Sequence, residues 1–283
     1  CMAFYVAEMG DDLHSRHQLE QDLRTALQQD QFFLLYQPIV DLETRAVVAV
    51  EALLRWDRPG RGTTLPSEFI ASLEATGMIR PVGAWVLHEA CQQATTWQHE
   101  GDPVRVSVNI SARQLDQESV VEDVERALRV SGLDPALLLL ELTESALMGD
   151  ERDISQRLLT LRKTGVRVAV DDFGTGYSSF AHLQRFPLDV LKIDRSFVAS
   201  VSASSEAAAV VRTLVHLAKV VGLRTVAEGV EDDLQLRFLI AEDVDSAQGF
   251  LFARPLTADE LSCYLLASRS KEPLPASAGG LGA

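Results

Sequence analysis

Along most of the chain, short apolar runs alternate with longer stretches in which apolar residues recur every three or four positions. The runs are "FFLLYQPIV", "AVVAVEALLRW", "VRVSVNIS", "LLLLELTES", "VRVAVDDFG", "DVLKID", "RTVAEGV" and "SAQGF". Between most of them lie segments of helical period, "PVGAWVLHEACQQATTWQ", "SVVEDVERALRVS", "DISQRLLTLRKTG", "AAAVVRTLVHLAKVVG" and "DLQLRFLIAE". Strands separated by helices imply βα units and a parallel sheet. Strands that are apolar on both faces favour a sheet closed on itself, with helices outside. The first two runs are joined only by "DLETR", too short for a parallel crossover, so that pair must be antiparallel. The expected fold is α/β, an irregular (β/α)8 TIM-like barrel with one antiparallel strand near the N-terminus.

The two ends differ from this pattern. Up to about residue 31 the chain reads as a helix with Leu19, Leu23, Ala26 and Leu27 on one face. The tail "SRSKEPLPASAGGLGA" has the Ser, Pro, Gly and Ala content of a disordered segment. The expected organisation is a linker and helix start over 1–20, the barrel over 21–268 and a disordered tail over 269–283.

The sequence has 283 residues, 47% hydrophobic, and a formal net charge of −15. That balance excludes broad binding to DNA or RNA polymers, which needs a basic surface. A phosphate ligand would need bound cations or a few placed Arg and Lys residues. The three cysteines show no CxxC spacing, which suits a reducing compartment without disulfides. "AAAVVRTLVHLAKVVGL" is broken by Arg212, His216 and Lys219 and reads as an amphipathic helix, not a membrane span. No signal peptide is visible and the chain begins at Cys1, so a segment of a longer protein is expected. This domain is expected to be cytoplasmic, whether or not the full-length protein is anchored in a membrane.

Polar residues gather where the apolar runs end. Glu51 with Arg55 beyond it, Asn109, Glu141 followed by Glu144, Asp171 with Asp172, Lys192 with Asp194, Glu228 with Glu231, and Gln248 fall in or after seven different strand candidates. In a closed barrel the C-terminal strand ends converge on one mouth, where active sites of such folds lie. The period of two sharpens this: Asn109 shares a face with Ser107, Asp171 with Ala169 and Lys192 with Val190, so each can point inward.

Five carboxylates converging with an Asn and a Lys repel one another unless cations hold them. The oxygen-rich set, without His or Cys, points to Mg2+ or Mn2+ and away from structural zinc. Asp171 and Asp172 are then best explained as ligands of two metal ions, with Asp171 bridging. Paired ions of this kind serve phosphodiester hydrolysis. Lys192 either contacts the nucleophilic water and the developing charge or is a counter-ion for Asp171 or Asp194.

The motifs "EALLRW", "VNIS", "ELTES", "DDFGTGYSS", "LKID", "AEGVE" and "QGF" occur in the order of the EAL domain, the family of cyclic-di-GMP-specific phosphodiesterases, and over roughly residues 20–268 the chain resembles that family. The resemblance implies hydrolysis of cyclic di-GMP to linear 5'-pGpG with Mg2+ or Mn2+. It implies that Glu51, Asn109, Glu141 and Asp171 ligate one ion, and Asp171, Asp172 and Glu228 the other. Lys192 matches the lysine beside the nucleophilic water. Gln37, Arg55 and Glu231 match substrate-contacting positions, while Asp194 and Gln248 line the site. Glu144 matches a residue that anchors the loop after the fifth strand, "DFGTGYSS". A homodimer, and an upstream sensor or diguanylate cyclase domain in the full-length chain, are also implied.

Asp57 and Arg58 stand where the family usually shows a His before Pro, and "DVDSAQGF" lacks a Cys common there; neither residue type is needed for metal binding or in-line attack. The alternative is a catalytically silent module that binds cyclic di-GMP without turnover. No carboxylate of the set is missing to favour it.

Overall fold

The computed structural model describes residues 18–174 and 185–269. All eight apolar runs form strands: β1 (Phe32–Asp41), β2 (Val47–Arg58), β4 (Arg105–Asn109), β5 (Leu138–Thr143), β6 (Arg167–Phe173), β7 (Val190–Ile193), β8 (Arg224–Ala227) and β9 (Ser246–Gln248). A ninth, β3 (Gly62–Thr64), folds back on the end of β2. The sheet runs β1-β9-β8-β7-β6-β5-β4-β2-β3 and closes through β1 against β2. β1 is antiparallel to both neighbours, and every other barrel pairing is parallel. The short "DLETR" link therefore has the consequence expected of it.

Helices cover the outside. They are α1 (18–28), α2 (Pro66–Thr76), α3 (Ile79–His99), α4 (Ala112–Leu115), α5 (Ser119–Ser131), α6 (Glu151–Lys163), α7 (Arg195–Ser200), α8 (Ser205–Val221), α9 (Asp233–Ala241) and α10 (Ala258–Arg269). Local chemistry fixes several ends. Asp150 and Ser204 accept backbone N–H bonds at the starts of α6 and α8, and Gly222 ends α8 in the left-handed conformation. The outward strand residues Val106, Val108, Leu140, Val168, Val170 and Leu191 are buried beneath the helices. Over one end of the barrel Phe32, Trp56, Phe69 and Trp85 form an aromatic group, with Trp56 and Phe69 fully buried. None of the described helices is long and apolar enough to cross a membrane.

Inside the barrel the residues alternate as strand geometry requires. Ile39, Ala49, Leu139, Ala169, Val190 and Val226 form a separate small apolar layer. Two residues closer to the mouth on those strands stand Gln37, Glu51, Glu141, Asp171, Lys192 and Glu228. Ser107 and Ser246 bear the same relation to Asn109 and Gln248. The apolar layer thus floors a polar one about 6–7 Å above it, with one residue from each barrel strand.

Residues 269–283 of the expected tail, except Arg269 itself, and most of the expected linker lie outside the described residues, as does "TGYSS" of the loop after β6.

Candidate active site at the barrel mouth

Lys192, the central residue of β7's inward face, is 1% exposed, and its Nζ meets four carboxylates. The distances are 2.5 Å to Glu228 Oε1, 2.8 Å to Glu141 Oε2, 3.4 Å to Asp171 Oδ2 and 3.6 Å to Glu51 Oε2. Those acids come from four other strands, so the lysine is the hub of the polar layer. Burial alone would lower its pKa, but Asp171, Glu141, Glu228 and Glu51 outweigh it and hold the ammonium well above its ordinary range.

The carboxylates respond unequally to the same field. Burial raises Glu141 well above the usual carboxylate range, Lys192 opposing and Glu51 and Asp171 adding to the rise. Glu228 is pushed up by burial to about 8, with the charges of Asp171 and Glu51 also raising it against Lys192. Burial pulls Glu51 in the same direction, yet Lys192 and hydrogen bonds from Gln248 and Asn109 keep it below its ordinary value. Asn109 Nδ2 donates to Glu51 Oε1 at 2.9 Å, and Gln248 Nε2 donates to Glu51 Oε2 at 2.6 Å. Gln248 Nε2 also reaches Gln37 Oε1 at 3.0 Å, while Gln37 Nε2 donates to the Ala253 carbonyl. Gln248 therefore orients Glu51 and Gln37 in turn braces Gln248, a role their sequence positions did not disclose.

Asp171 and Asp172 reach the same space by different routes. Asp171 continues the inward face of Ala169, whereas strict alternation would send Asp172 outward with Val170. The β6–β7 register shifts between Val170 and Phe173, and Asp172 takes a positive φ of 54°. This bulge turns its carboxylate back. Ligand atoms of Asp171, Asp172 and Glu228 lie within 4.8 Å of one another. Burial, then the charges of Asp171 and Asp194, raise the Asp172 pKa.

These groups fit divalent cations. The set is all oxygen, Glu141 Oε1 is buried without a hydrogen-bond partner, and the Asp171, Asp172 and Glu228 atoms converge. Such a site needs charge beyond that of one lysine.

The outer members of the expected site are placed less uniformly. Arg55 is half-buried on the same strand face as Glu51, its Nη1 donating to the Leu54 carbonyl. Asp194 caps α7 through the Ser196 backbone N–H and hydroxyl, and its charge is felt by Asp172. Glu144, 4% exposed, accepts from the Gly174 N–H at 3.0 Å, tying the β5 end to the first turn after β6. Glu231 is exposed, and its carboxylate has no hydrogen bond or ion pair among the described residues. The structure does not bring it into the cluster.

A closed α/β barrel with an acidic, oxygen-rich cluster that could hold a metal ion at its C-terminal mouth defines the class of protein. The family follows from comparison: the EAL domain model matches residues 20–255, and the chain belongs to that family. It is 41% identical over 259 residues to the Pseudomonas aeruginosa protein named bifunctional diguanylate cyclase/cyclic di-GMP phosphodiesterase MucR, covering 91% of this chain and 38% of that one. It is 43% identical over 253 residues to the P. aeruginosa cyclic di-GMP phosphodiesterase NbdA, covering 89% and 32% respectively. Among solved structures, the PaMucR phosphodiesterase in complex with c-di-GMP superposes with a TM-score of 0.84 at 42% identity, over 86% of this chain and 99% of that one. The chain thus spans roughly a third of the length of the curated relatives it matches.

Proposed function

We propose that this chain hydrolyses cyclic di-GMP to linear 5'-pGpG. The observation that carries the reading is the complete polar layer: Glu51, Asn109, Glu141, Asp171, Asp172 and Glu228 converge around Lys192 from six other strand positions. The names of MucR and NbdA support the substrate.

Glu51, Asn109, Glu141 and Asp171 would hold one Mg2+ or Mn2+ ion, and Asp171, Asp172 and Glu228 a second. When bound, such ions polarise a phosphoryl oxygen and lower the pKa of water. The chain's own residues do the rest. Gln248 and Asn109 fix the Glu51 carboxylate, so that a ligand oxygen need not reorganise on binding. Lys192 offsets part of the acidic charge before cations arrive and stays protonated to face developing negative charge on the phosphate. Arg55, at the mouth, supplies a guanidinium for a substrate phosphate in an otherwise anionic protein. The Glu144 bond to Gly174 holds the start of the loop that leaves the Asp171-Asp172 pair.

The whole protein is read as longer, with an upstream sensor or cyclase domain acting on this barrel, residues 21–268, through a homodimer in the cytoplasm. MucR, named as bifunctional, supplies the precedent for a cyclase partner in the same chain.

The test is incubation with cyclic di-GMP and Mn2+, following pGpG by chromatography, with Glu51→Ala alongside. Product from the unmodified chain alone supports the enzyme. Tight nucleotide binding with no product, in the presence of metal, would place the chain among silent receptors instead.

A further inference from the structure

Three strands carry a second residue in register with the site. β4 reads "RVSVN", β6 "RVAVD" and β8 opens "RTVAE", so Arg105, Arg167 and Arg224 each stand four residues before Asn109, Asp171 and Glu228. Four is an even number, which puts each arginine on the strand's inward face. It also puts them about 13 Å below the acidic mouth, at the opposite end of the barrel. The strands β4, β6 and β8 alternate around the sheet, and alternate strands contribute to one interior layer in such barrels. The fourth strand of that alternating set is β1, which runs the other way and places Asp41 at the corresponding position, so the layer carries three guanidinium groups and one carboxylate. In a chain of net charge −15 this layer has an excess of positive charge.

The nearby acids serve Arg162, Arg224 and backbone groups and leave Arg105 and Arg167 without a pair. Asp189 accepts from Arg162 Nη2 at 2.9 Å and from the Val168 N–H at 2.9 Å. Asp245 accepts from the Thr225 N–H and hydroxyl, and with Asp41 it lies beside Arg224, at 3.4 and 3.6 Å. Neither the Arg105 nor the Arg167 side chain has a hydrogen bond or ion pair among the described residues. Arg105 Nε is buried and unpartnered. Burial, and after it the charges of Arg167 and Arg224, hold the Arg105 pKa below its ordinary range, with Asp189 opposing. Such a donor is costly unless something accepts from it.

We propose that this end of the barrel is an oxyanion site, taking inorganic phosphate or the phosphate of a phosphomonoester between Arg105, Arg167 and Arg224. The planar fork of a guanidinium matches phosphate oxygens bidentately, and the Arg105 Nε–H supplies the donor that the fold leaves unused. Arg224, the most exposed of the three, is the entry side, its weak pairs with Asp41 and Asp245 being exchangeable for a dianion. The site is separate from the mouth and does not depend on the reading of the reaction.

The experiment uses the whole chain freed of divalent cations, so that phosphate is repelled by the carboxylate mouth and has no ion to coordinate there. Inorganic phosphate, glycerol phosphate and chloride are compared at equal ionic strength by thermal unfolding and calorimetric titration. Phosphate or glycerol phosphate should raise the unfolding midpoint where chloride does not, and the tighter of the two identifies the source. Arg105→Gln and Arg167→Gln should each weaken binding about tenfold, the loss of one charge-assisted contact, while Arg126→Gln on the exposed face of α5 leaves it unchanged. Arg105→Lys keeps the charge but removes Nε–H, and should also weaken binding. Equal midpoints in phosphate and chloride would overturn the proposal even if no variant folds, as would undiminished binding in the folded Arg105 and Arg167 variants.

Discussion

The backbone N–H of Asp172 donates to the Oδ1 of its neighbour Asp171 at 2.9 Å. Adjacent residues of a strand normally face opposite ways. Here the bulge and the left-handed backbone of Asp172 bring both carboxylates to one side and use one acid's main chain to fix the other. A site that must gather like charges gains from this, because the Asp171 oxygen is oriented before any cation binds.

That backbone makes Asp172 selective in what can replace it. Asp and Asn tolerate positive φ, whereas β-branched residues do not. Asp172→Asn should fold with near-normal stability but lose most of the stabilisation that Mn2+ confers. Asp172→Val should in addition destabilise the cation-free protein by about 1–3 kcal/mol. Chemical unfolding of both variants with and without Mn2+ separates the two effects.

Lys192 is buried among four acids, and removing it leaves their charge uncompensated. Lys192→Met should destabilise the cation-free protein by about 3–5 kcal/mol. Mn2+ should restore more stability to the variant than to the parent, since the ion then supplies the missing positive charge. Activity should fall by at least about a hundredfold even when metal restores the fold, the scale of losing a preorganised electrostatic group. Denaturant titrations at several Mn2+ concentrations, with pGpG formation alongside, check this.

The raised acids give a pH dependence with a definite sign. Glu228 is pushed up to about 8 and Glu141 stands well above its ordinary range, so in the cation-free fold both hold protons more tightly than in the unfolded chain. For Glu228 that contribution to stability is complete below about 4, the unfolded range, and is lost as pH rises through 8, and the contribution of Glu141 has the same sign. Glu51, held low, contributes the other way and only on acidification. Cation-free protein should therefore weaken between pH 6 and pH 9. Cations displace those protons, so the midpoint shift produced by Mg2+ should be larger at pH 8.5 than at pH 6. Thermal unfolding across that range, with and without Mg2+, measures both.

Glu144 touches the candidate metal site only through the backbone, by its bond from the Gly174 N–H. Glu144→Ala should cost about 1–3 kcal/mol, the loss of a charge-assisted bond to the Gly174 backbone. Activity should fall about tenfold or more through misplacement of the turn that leaves Asp171 and Asp172. Glu144→Gln, which retains an acceptor, should recover a large part of both. A kinetic comparison at saturating Mn2+ distinguishes this positioning role from loss of a ligand, which excess metal would partly rescue.

Much of this architecture was legible in the chain because it rests on local rules. Apolar runs and helical periods gave all eight barrel strands and six of the covering helices, and the "DLETR" link fixed the antiparallel start. The elements not anticipated carry weak local signals. β3 is three residues beside turn glycines, and α2 buries only Phe69 and Leu73, too few to write a clear period. The α10 pattern "ADELSCYLLASR" is likewise only weakly amphipathic.

By itself the sequence determined which side chains end which strands, and the even spacing that points Asn109, Asp171 and Lys192 inward. Alternation along a strand is a property of neighbouring residues, so it survives in the sequence. Only tertiary structure decided how those residues meet. Gln248 reaches Gln37 and Glu51 across separations of 211 and 197 residues, and Lys192 reaches Glu141 across 51. These contacts exist because the sheet closes. The bulge that recruits Asp172 contradicts the local alternation, and Glu231 stays at the surface despite its motif. Where the geometry of a site depends on closure and on a local break in strand register, periodicity names the candidates but cannot place them.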